Sequence, residues 1–317
     1  VWREARFWIF IHWGLSSLLD LGAGSWDRDE NDKKLGKNET LENAPEAIED
    51  GSYLQYKALA KGRVPQKVYD NLYHIFNPTG FDAEEWAEVF ERTGAKYVTL
   101  VTKHHDGFCL WDTETTEKKV TNSPLGVDVL AQLRKSCDKY GIKLALYFSE
   151  GDWNWPGAVD GKGHAAGSGI HPEMKKAQLK EICTRYGPIE FFWMDHAVGD
   201  GGLSHTETVK WVHRFQPDCF VGFNHGEPAG RLSLRERGTP GEIGDASTTK
   251  YNKEAEANYS GYLVAEFTYP ILPPHQGGAM WFYSLPRHDN LCHSAKKLYK
   301  DYLGAVKYGN IFSLDVG

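Results

Sequence analysis

The sequence has few cysteines and no motif that brings two of them close together. Its 317 residues contain five, and they are widely spaced: Cys109, Cys137, Cys183, Cys219 and Cys292. Structural zinc ribbons and dithiol redox centres use closely spaced pairs such as CxxC. The spacing therefore gives no support to either class, and we expect buried free thiols.

Basic clusters and long apolar runs are also missing. The net charge is -7, whereas nucleic-acid-binding proteins need a basic face. No apolar run reaches the length that spans a membrane. We therefore expect neither a nucleic-acid partner nor a membrane partner. The first residue is Val1 rather than methionine, which is compatible with a trimmed part of a longer protein, so a missing leader carries little weight.

Short apolar runs alternate with helical patterns along the chain. The predicted strands are Phe7 to His12, Lys96 to Thr102, Lys143 to Phe148, Ile189 to Asp195, Cys219 to Asn224, Tyr262 to Phe267, Met280 to Ser284 and Asn310 to Leu314. The predicted helices are Ala83 to Thr93, Asp128 to Tyr140, Glu173 to Tyr186, Glu207 to Phe215 and Ala295 to Val306. This alternation predicts an α/β fold, a distorted (β/α)8 TIM-like barrel in one catalytic domain over residues 1–317.

Two irregularities modify this prediction. The connection from Phe267 to Met280 contains three prolines and no helical pattern, so we expect one crossover helix to be missing there. A polar stretch at about 27–70 follows the first strand, and we expect an insertion on the catalytic rim or a solvated loop.

Polar side chains follow several predicted strands at the point where each strand ends. The richest segment is Lys103 to Phe108, which reads KHHDGF and contains two imidazoles and an acid. Asp195 ends the fourth strand after a run of mostly apolar residues. Carboxyl ends of barrel strands converge, so these side chains are expected to form one site. The chain also has 11 Trp, 16 Tyr and 15 Phe, and aromatic faces suit sugar rings.

The motifs resemble the catalytic domain of glycoside hydrolase family 29, the retaining α-L-fucosidases, over nearly the whole chain. HWG at His12 to Gly14 and KHHDGF are the specific matches. Supporting matches are Phe76 to Pro78, Phe81 with Asp82, Trp86 with Ala87, Gly94 to Tyr97, Trp111 with Asp112, Leu146 to Ser149, Asp152 with Trp153, Leu179 to Asp195, Gly309 with Asn310, and Asp315 to Gly317.

The resemblance implies roles for individual residues. Asp195 aligns with the family's nucleophile, and His12, His104, His105, Tyr147 and Trp193 align with residues that grip the fucose. Trp26, Glu266 and Trp281 complete the predicted substrate-binding set. No metal or cofactor is expected. The implied partner is a fucose-containing oligosaccharide, polysaccharide or glycoconjugate.

The general acid/base is assigned from its register after the nucleophile. The stretch Gly230 to Glu236 fits that register, which makes Glu236 the predicted acid/base. Glu266 is the rival and Glu227 the third candidate. A competing interpretation makes Glu236 a solvated loop acid between two arginines.

Two departures from the family's pattern bear on the substrate. Ser25 replaces a Glu before Trp26, and Asn224, His225 and Gly226 replace an Asn-x-Arg motif. These losses favour a related L-sugar, such as α-L-galactose, or a substituted one. They also leave open a fucose-binding protein on a decayed scaffold. A metal-dependent hydrolase built on the histidines is a further alternative. The family favours a periplasmic or secreted location, whereas the unpaired thiols favour a reducing one.

Overall fold

The centre of the structure is a parallel sheet of eight strands. The computed structural model describes residues 6–18, 28–29, 64–152, 171–195, 201–224, 232–236, 264–273, 281–282, 286–307 and 309–317. The strands of the main sheet are β1 (Phe7–Ile11), β2 (Tyr97–Lys103), β3 (Lys143–Ser149), β4 (Phe191–Asp195), β5 (Phe220–Phe223), β6 (Leu232–Glu236), β7 (Val264–Pro270) and β8 (Ile311–Val316).

The strand order is that of a barrel. It runs β5, β4, β3, β2, β1, β8, β7, β6, and every pair is parallel. First and last strands therefore pair with each other, as closure requires. Within the described residues β5 and β6 form the two edges of the sheet, and Leu234 of β6 packs near Gly222 of β5. This confirms the predicted distorted (β/α)8 barrel.

Among the described residues the five predicted helices are present, and a further short helix at Gln66–Asn71 was not predicted. They are α1 (Gln66–Asn71), α2 (Ala83–Thr93), α3 (Val129–Tyr140), α4 (Pro172–Arg185), α5 (His205–His213) and α6 (Ala295–Val306). The Asp82 carboxylate caps α2 by accepting from the amides of Glu84 and Glu85, and Gly94 ends it in the left-handed conformation. The described residues also form 3-10 helices at Leu15–Leu18, Leu72–Ile75, Val120–Asn122 and Pro286–Leu291. No helix in the described ranges is both long and apolar enough to cross a bilayer.

The structure corrects the prediction for the sixth and seventh strands. The sixth is Leu232–Glu236, for which no strand was predicted, and the predicted strand at Tyr262 to Phe267 is the seventh. The predicted strand at Met280 to Ser284 does not lie between the seventh and the last strand of the sheet, because β7 pairs directly with β8. Of that segment, only Trp281 and Phe282 lie within the described residues.

The distortion also lies elsewhere than predicted. Eight residues, 224–231, separate β5 from β6. A helical crossover needs at least about ten to twelve. The connection between the fifth and sixth strands is therefore too short for a helical crossover, while Phe267 to Pro270, the start of the segment predicted to lack a helix, belongs to β7. Of the predicted rim insertion, the structure describes a short strand at Arg28–Asp29 paired with Val64–Pro65, followed by α1.

Strand alternation divides the side chains into two layers. Ile9 and Ile11 of β1 face outward into the main core against the helices, whereas Trp8 and Phe10 belong to a separate core inside the barrel. Other members of the inner core are Tyr97, Val101, Ala145, Tyr147, Phe191, Trp193, Leu234 and Ile311. Residues that continue the inward positions at the carboxyl ends of the strands therefore meet above this inner core.

Candidate active site

Asp195 is the centre of the polar cluster at the carboxyl ends of the strands. It follows Phe191 and Trp193 at the next inward position of β4. The hydroxyl of Tyr147 donates to Oδ2 at 2.5 Å, and the amide of Asn224 donates to Oδ1 at 3.1 Å. The side chain keeps 16% of its surface exposed. Asp195 is thus oriented by two donors and still open to a ligand.

His104 and His105 come from the turn that follows β2. The rings of the two residues lie 4.1 Å apart. His105 Nε2 is 3.5 Å from Asp195 Oδ2, and its Nδ1 is 2.7 Å from the hydroxyl of Ser149. The Ser149 hydroxyl thus orients the ring of His105 with Nε2 toward Oδ2 of Asp195.

His104 is buried beside two other histidines, His105 and His12. Burial lowers the pKa of His104 well below its ordinary value, and the neighbouring His105 and His12 lower it further, while Asp195 opposes them. Its ring stacks on Tyr147 with centroids 5.6 Å apart. A neutral imidazole carries one donor and one acceptor, which suits a sugar hydroxyl.

His12 joins the same site from the end of β1. Its Nδ1 is 2.5 Å from Oδ1 of the buried Asp315 on β8. The ring lies 5.1 Å from Trp281 and 5.3 Å from Phe282, which form an aromatic wall. The structure therefore brings the predicted residues His12, His104, His105, Tyr147, Trp193, Asp195 and Trp281 into one group of neighbours.

Glu266 lies beneath this group rather than on its surface. Its side chain has 0% exposed surface, and the indole of Trp193 donates to Oε2 at 3.2 Å. Burial raises the pKa of Glu266 to about 7, while Trp193 and Ser313 lower it. The ring of Trp193 in turn stacks on Tyr147 at 5.4 Å. Glu266 thus anchors the aromatic residue that borders Asp195 and Tyr147.

The turn that carries the two histidines is held by several buried contacts. Asp106 accepts from the hydroxyl of Tyr69 at 2.9 Å and from the amide of Phe108 at 2.9 Å. Lys118 donates to the carbonyl of Asp106 at 2.8 Å. Gly107 has a φ of 76°, and a Cβ there would lie 2.4 Å from Oδ1 of Asp152. The turn therefore needs glycine for both its conformation and its neighbours.

The substitution Gly107→Ala is expected to lower the free energy of unfolding by about 2 to 5 kcal/mol, combining the left-handed conformation with overpacking. Gly141→Ala is the matched control, because Gly141 has a φ of 67° with open space around its Cβ position. It should cost only about 1 to 2 kcal/mol. Urea unfolding of both variants measures the difference, and equal losses would contradict the Asp152 contact.

The cluster also bears on the alternative of a metal-dependent hydrolase. One ligand atom each from His104, His105 and Asp195 lies within 4.8 Å of the others. Two ligands bound to one zinc ion at about 2.1 Å can be at most about 4.2 Å apart. His104 and His105 follow the end of β2 at Lys103, so strand alternation does not separate their rings. Imidazole and carboxylate are ligands that zinc binds, but a spread of up to 4.8 Å is wider than one ion allows.

Several predicted residues are only partly described or fall outside the described residues. Trp26 and Glu227 lie outside them, as do Ser25 and His225. Glu236 is the last residue of β6, in register with Thr268 of β7, and its side chain is outside the described part. The loop interpretation of Glu236 was wrong for the backbone. Alternation places position 236 on the same face of β6 as the buried Leu234.

Sequence analysis did not assign three residues that contact the site. They are Asn224, which holds Asp195, Ser149, which holds His105, and Asp315, which holds His12. Each lies at the carboxyl end of a barrel strand or just past it. Ile311 faces the inner core, and every second residue of β8 from there faces the same way, which identifies Asp315 as an inward-facing acid.

A parallel barrel with a carboxylate, three histidines and an aromatic wall at the carboxyl ends of its strands is an arrangement typical of barrel enzymes that act on sugars. The sequence model of the α-L-fucosidase family matches residues 1–263. The chain belongs to this family, glycoside hydrolase family 29.

Curated relatives carry the same family name. The chain is 31% identical to α-L-fucosidase 1 of Arabidopsis thaliana over 218 residues, which is 63% of this chain and 41% of that protein. It is 32% identical to α-L-fucosidase of Dictyostelium discoideum over 227 residues, or 66% of this chain and 44% of the relative. The chain thus spans less than half the length of these relatives.

Solved structures share the fold. An α-L-fucosidase isoenzyme 1 from Paenibacillus thiaminolyticus superposes with a TM-score of 0.69 at 24% identity, over 100% of this chain and 71% of that one. The unliganded α-L-fucosidase AlfC from Lactobacillus casei gives a TM-score of 0.65 at 23% identity, over 100% and 90%. At these identities the likeness establishes the fold alone.

Proposed function

We propose that this chain hydrolyses α-L-fucosides, or glycosides of a closely related L-sugar, with retention of anomeric configuration. In this proposal Asp195 is the nucleophile and Glu236 the general acid/base. The domain that does this is the single catalytic barrel of residues 1–317, with the insertion at about 27–70 on its rim. The substrate is the fucose-containing end of an oligosaccharide, polysaccharide or glycoconjugate.

The observation that carries the proposal is the setting of Asp195. Tyr147 at 2.5 Å and Asn224 at 3.1 Å both donate to the carboxylate, and the two hydrogen bonds orient its oxygens. Its surface is 16% exposed, so an anomeric carbon can approach it. An oriented and accessible carboxylate at the end of a barrel strand is what a glycosidase nucleophile needs.

The first step forms the glycosyl ester. A carboxylate oxygen of Asp195 bonds to C1 of the sugar as the bond from C1 to the leaving oxygen breaks. Glu236 donates its proton to that oxygen. The positive charge that develops on the ring lies beside the Asp195 carboxylate, while His104, kept neutral by burial, adds no opposing charge.

The second step releases the sugar. Water attacks C1, Glu236 accepts a proton from it, and the bond between C1 and Asp195 breaks. Both steps invert C1, so the net result is retention. The hydroxyl of Tyr147 and the amide of Asn224 receive the regenerated carboxylate in its original orientation.

The site favours an L-fucose-like ring for chemical reasons as well as by family. The imidazoles of His12 and His104 and the wall of Trp281 and Phe282 combine polar and apolar contacts, as a deoxy sugar presents them. The solved AlfC structures include a mutant in complex with 4-nitrophenyl-α-L-fucopyranoside. Serine in place of glutamate at position 25 and Gly226 in place of an arginine shift the expected specificity toward α-L-galactose or a substituted sugar.

Hydrolysis of 4-nitrophenyl α-L-fucoside should release the α-anomer of L-fucose first, as seen by proton NMR before mutarotation. In a panel with the α-L-galactoside and the β-D-galactoside, we expect turnover of the first two sugars and none of the third. The β-anomer as first product would contradict retention.

The two alternative functions give different results in the same assay. A metal-dependent hydrolase would lose activity on treatment with EDTA and regain it with zinc. A non-catalytic fucose-binding protein would bind L-fucose in calorimetry without turning over the aryl fucoside. The proposed mechanism requires turnover that EDTA leaves unchanged.

A further inference from the structure

The contact between His12 and Asp315 joins the first and last strands of the barrel directly below the sugar site. The two side chains are 2.5 Å apart, between Nδ1 and Oδ1. His12 is 6% exposed and Asp315 is 1% exposed. The backbone amide of His12 also donates to the carbonyl of Val316 at 3.2 Å. A charge-assisted contact that is short and buried fixes its partners more firmly than a neutral one.

Asp315 depends on His12 for its charged form. Burial raises the pKa of Asp315 to about 6, and the ring and backbone of His12 oppose this rise. Its neighbours on the paired strands, Phe10 of β1 and Pro270 of β7, carry no charge. The charge state of Asp315 is therefore tied to the position of the proton on His12.

The other groups that face His12 are the residues of the sugar site. His104 after β2 lies 6.1 Å away and Tyr147 of β3 lies 5.7 Å away, ring centroid to ring centroid. Phe10 stacks below at 4.8 Å, and Trp281 and Phe282 complete the surroundings. With Nδ1 engaged by Asp315, the nitrogen left for a sugar hydroxyl is Nε2.

We propose that Asp315 is a positioning residue that sets the tautomer of His12 and thereby the hydrogen bond that His12 offers to the sugar. This inference rests on the proposed function and deepens it. Ionised Asp315 accepts the proton of Nδ1–H, which leaves Nε2 as an acceptor. Protonated Asp315 donates to Nδ1 instead, and Nε2 then carries the proton. Acidification thus exchanges an acceptor for a donor at the sugar.

The direction of the pH dependence follows from this exchange. The carboxyl of Asp315 is ionised above about pH 6 and protonated below it. The acceptor at Nε2 is therefore present at neutral pH and is lost as the pH falls through about 6. We expect KM for the aryl fucoside to rise about tenfold from pH 7 to pH 5, with a smaller change in kcat.

The variant Asp315→Asn tests the inference, because the amide oxygen still accepts from Nδ1 but does not titrate. Its KM should change less than about twofold over the same range, because one tautomer then persists. The matched control is Asp301→Asn, a buried carboxyl between α6 and β7 that accepts from Tyr269 at 2.6 Å, and it should follow the wild type. A KM profile of Asp315→Asn that coincides with the wild type would overturn the inference.

Two further measurements do not depend on turnover. Because the pKa of folded Asp315 is raised from 3.8 to about 6, its carboxyl lowers stability as the pH rises between these values, so the melting temperature of Asp315→Asn relative to wild type should rise up to about pH 6 and stay level above it. In wild-type protein with ¹⁵N-labelled histidine, the signal lost in His12→Gln should show Nδ1–H at pH 7.5. An Nε2–H tautomer there would refute the role of Asp315, whereas absent turnover with the expected tautomer would refute only the proposed function.

Discussion

Replacing Asp195 with glycine is expected to lower kcat for 4-nitrophenyl α-L-fucoside by about 10⁴-fold or more, which corresponds to about 5.5 kcal/mol of activation free energy. The loss is this large because the covalent route disappears, and Tyr147 and Asn224 then hold no carboxylate. Stopped assays with the purified variant measure the fall in kcat. Thermal unfolding of the same sample establishes that the barrel is intact.

Azide provides the decisive readout for this variant. The glycine leaves room on the face of the sugar from which Asp195 attacks, so azide should restore turnover and yield β-L-fucosyl azide. Asp301→Asn is the control. Asp301 also accepts a tyrosine hydroxyl, but it lies on α6 and contacts Tyr269 of β7. That variant should keep wild-type kcat and form no azide adduct. If Asp195→Gly retained more than a tenth of the wild-type kcat, Asp195 would not be the nucleophile.

The positions of most elements follow from local physical chemistry that the sequence displays. Helix α2 begins after Asp82 because that side chain caps it, and ends at Gly94 because glycine adopts the left-handed conformation without strain. Asp195 was recognisable as a strand-end acid because Phe191 and Trp193 precede it at alternate positions. In both cases the signal lies within a few residues of the feature that it predicts.

The sixth strand was missed because its environment differs from that of the others. The stretch Leu232 to Glu236 pairs only with β7 within the described residues, so it lacks the continuous apolar run of a strand buried on both sides. The charged Arg235 interrupts the apolar pattern, so a search for apolar runs does not identify this segment as a strand. A strand was wrongly predicted around Met280 because the segment is rich in aromatic residues. Two of them, Trp281 and Phe282, lie beside His12 at the candidate site rather than in the barrel sheet.

Contacts between distant strands were the part of the site that the sequence could not specify. Asp315 lies 303 residues from His12, and only the pairing of β8 with β1 brings them together. Asn224 likewise reaches Asp195 because β5 pairs with β4. The alternation of side chains along a strand predicts that such residues face inward. Which residue each one contacts depends on the register between paired strands.

The proposed acid/base Glu236 and its rival Glu266 differ in their position relative to the site. Glu266 has a pKa raised to about 7, which would suit proton transfer near neutral pH. However, its side chain has no exposed surface and is engaged by Trp193, so it does not reach a leaving group. Glu236 ends a barrel strand at an inward position, which is where the other residues of the site originate.

The variant Glu236→Ala should therefore lose about 10² to 10⁴-fold in kcat on 4-nitrophenyl α-L-fucoside, because water then attacks the glycosyl ester without a base. Azide needs no base and should restore turnover by attacking the ester from the side of the departed aglycone. The product expected is α-L-fucosyl azide, the opposite anomer to that from the nucleophile variant. Glu266→Gln serves as the comparison, and we expect azide to leave its rate unchanged. Formation of the α-azide by Glu266→Gln, and not by Glu236→Ala, would transfer the role to Glu266 and require the sheet to open above Trp193 during catalysis.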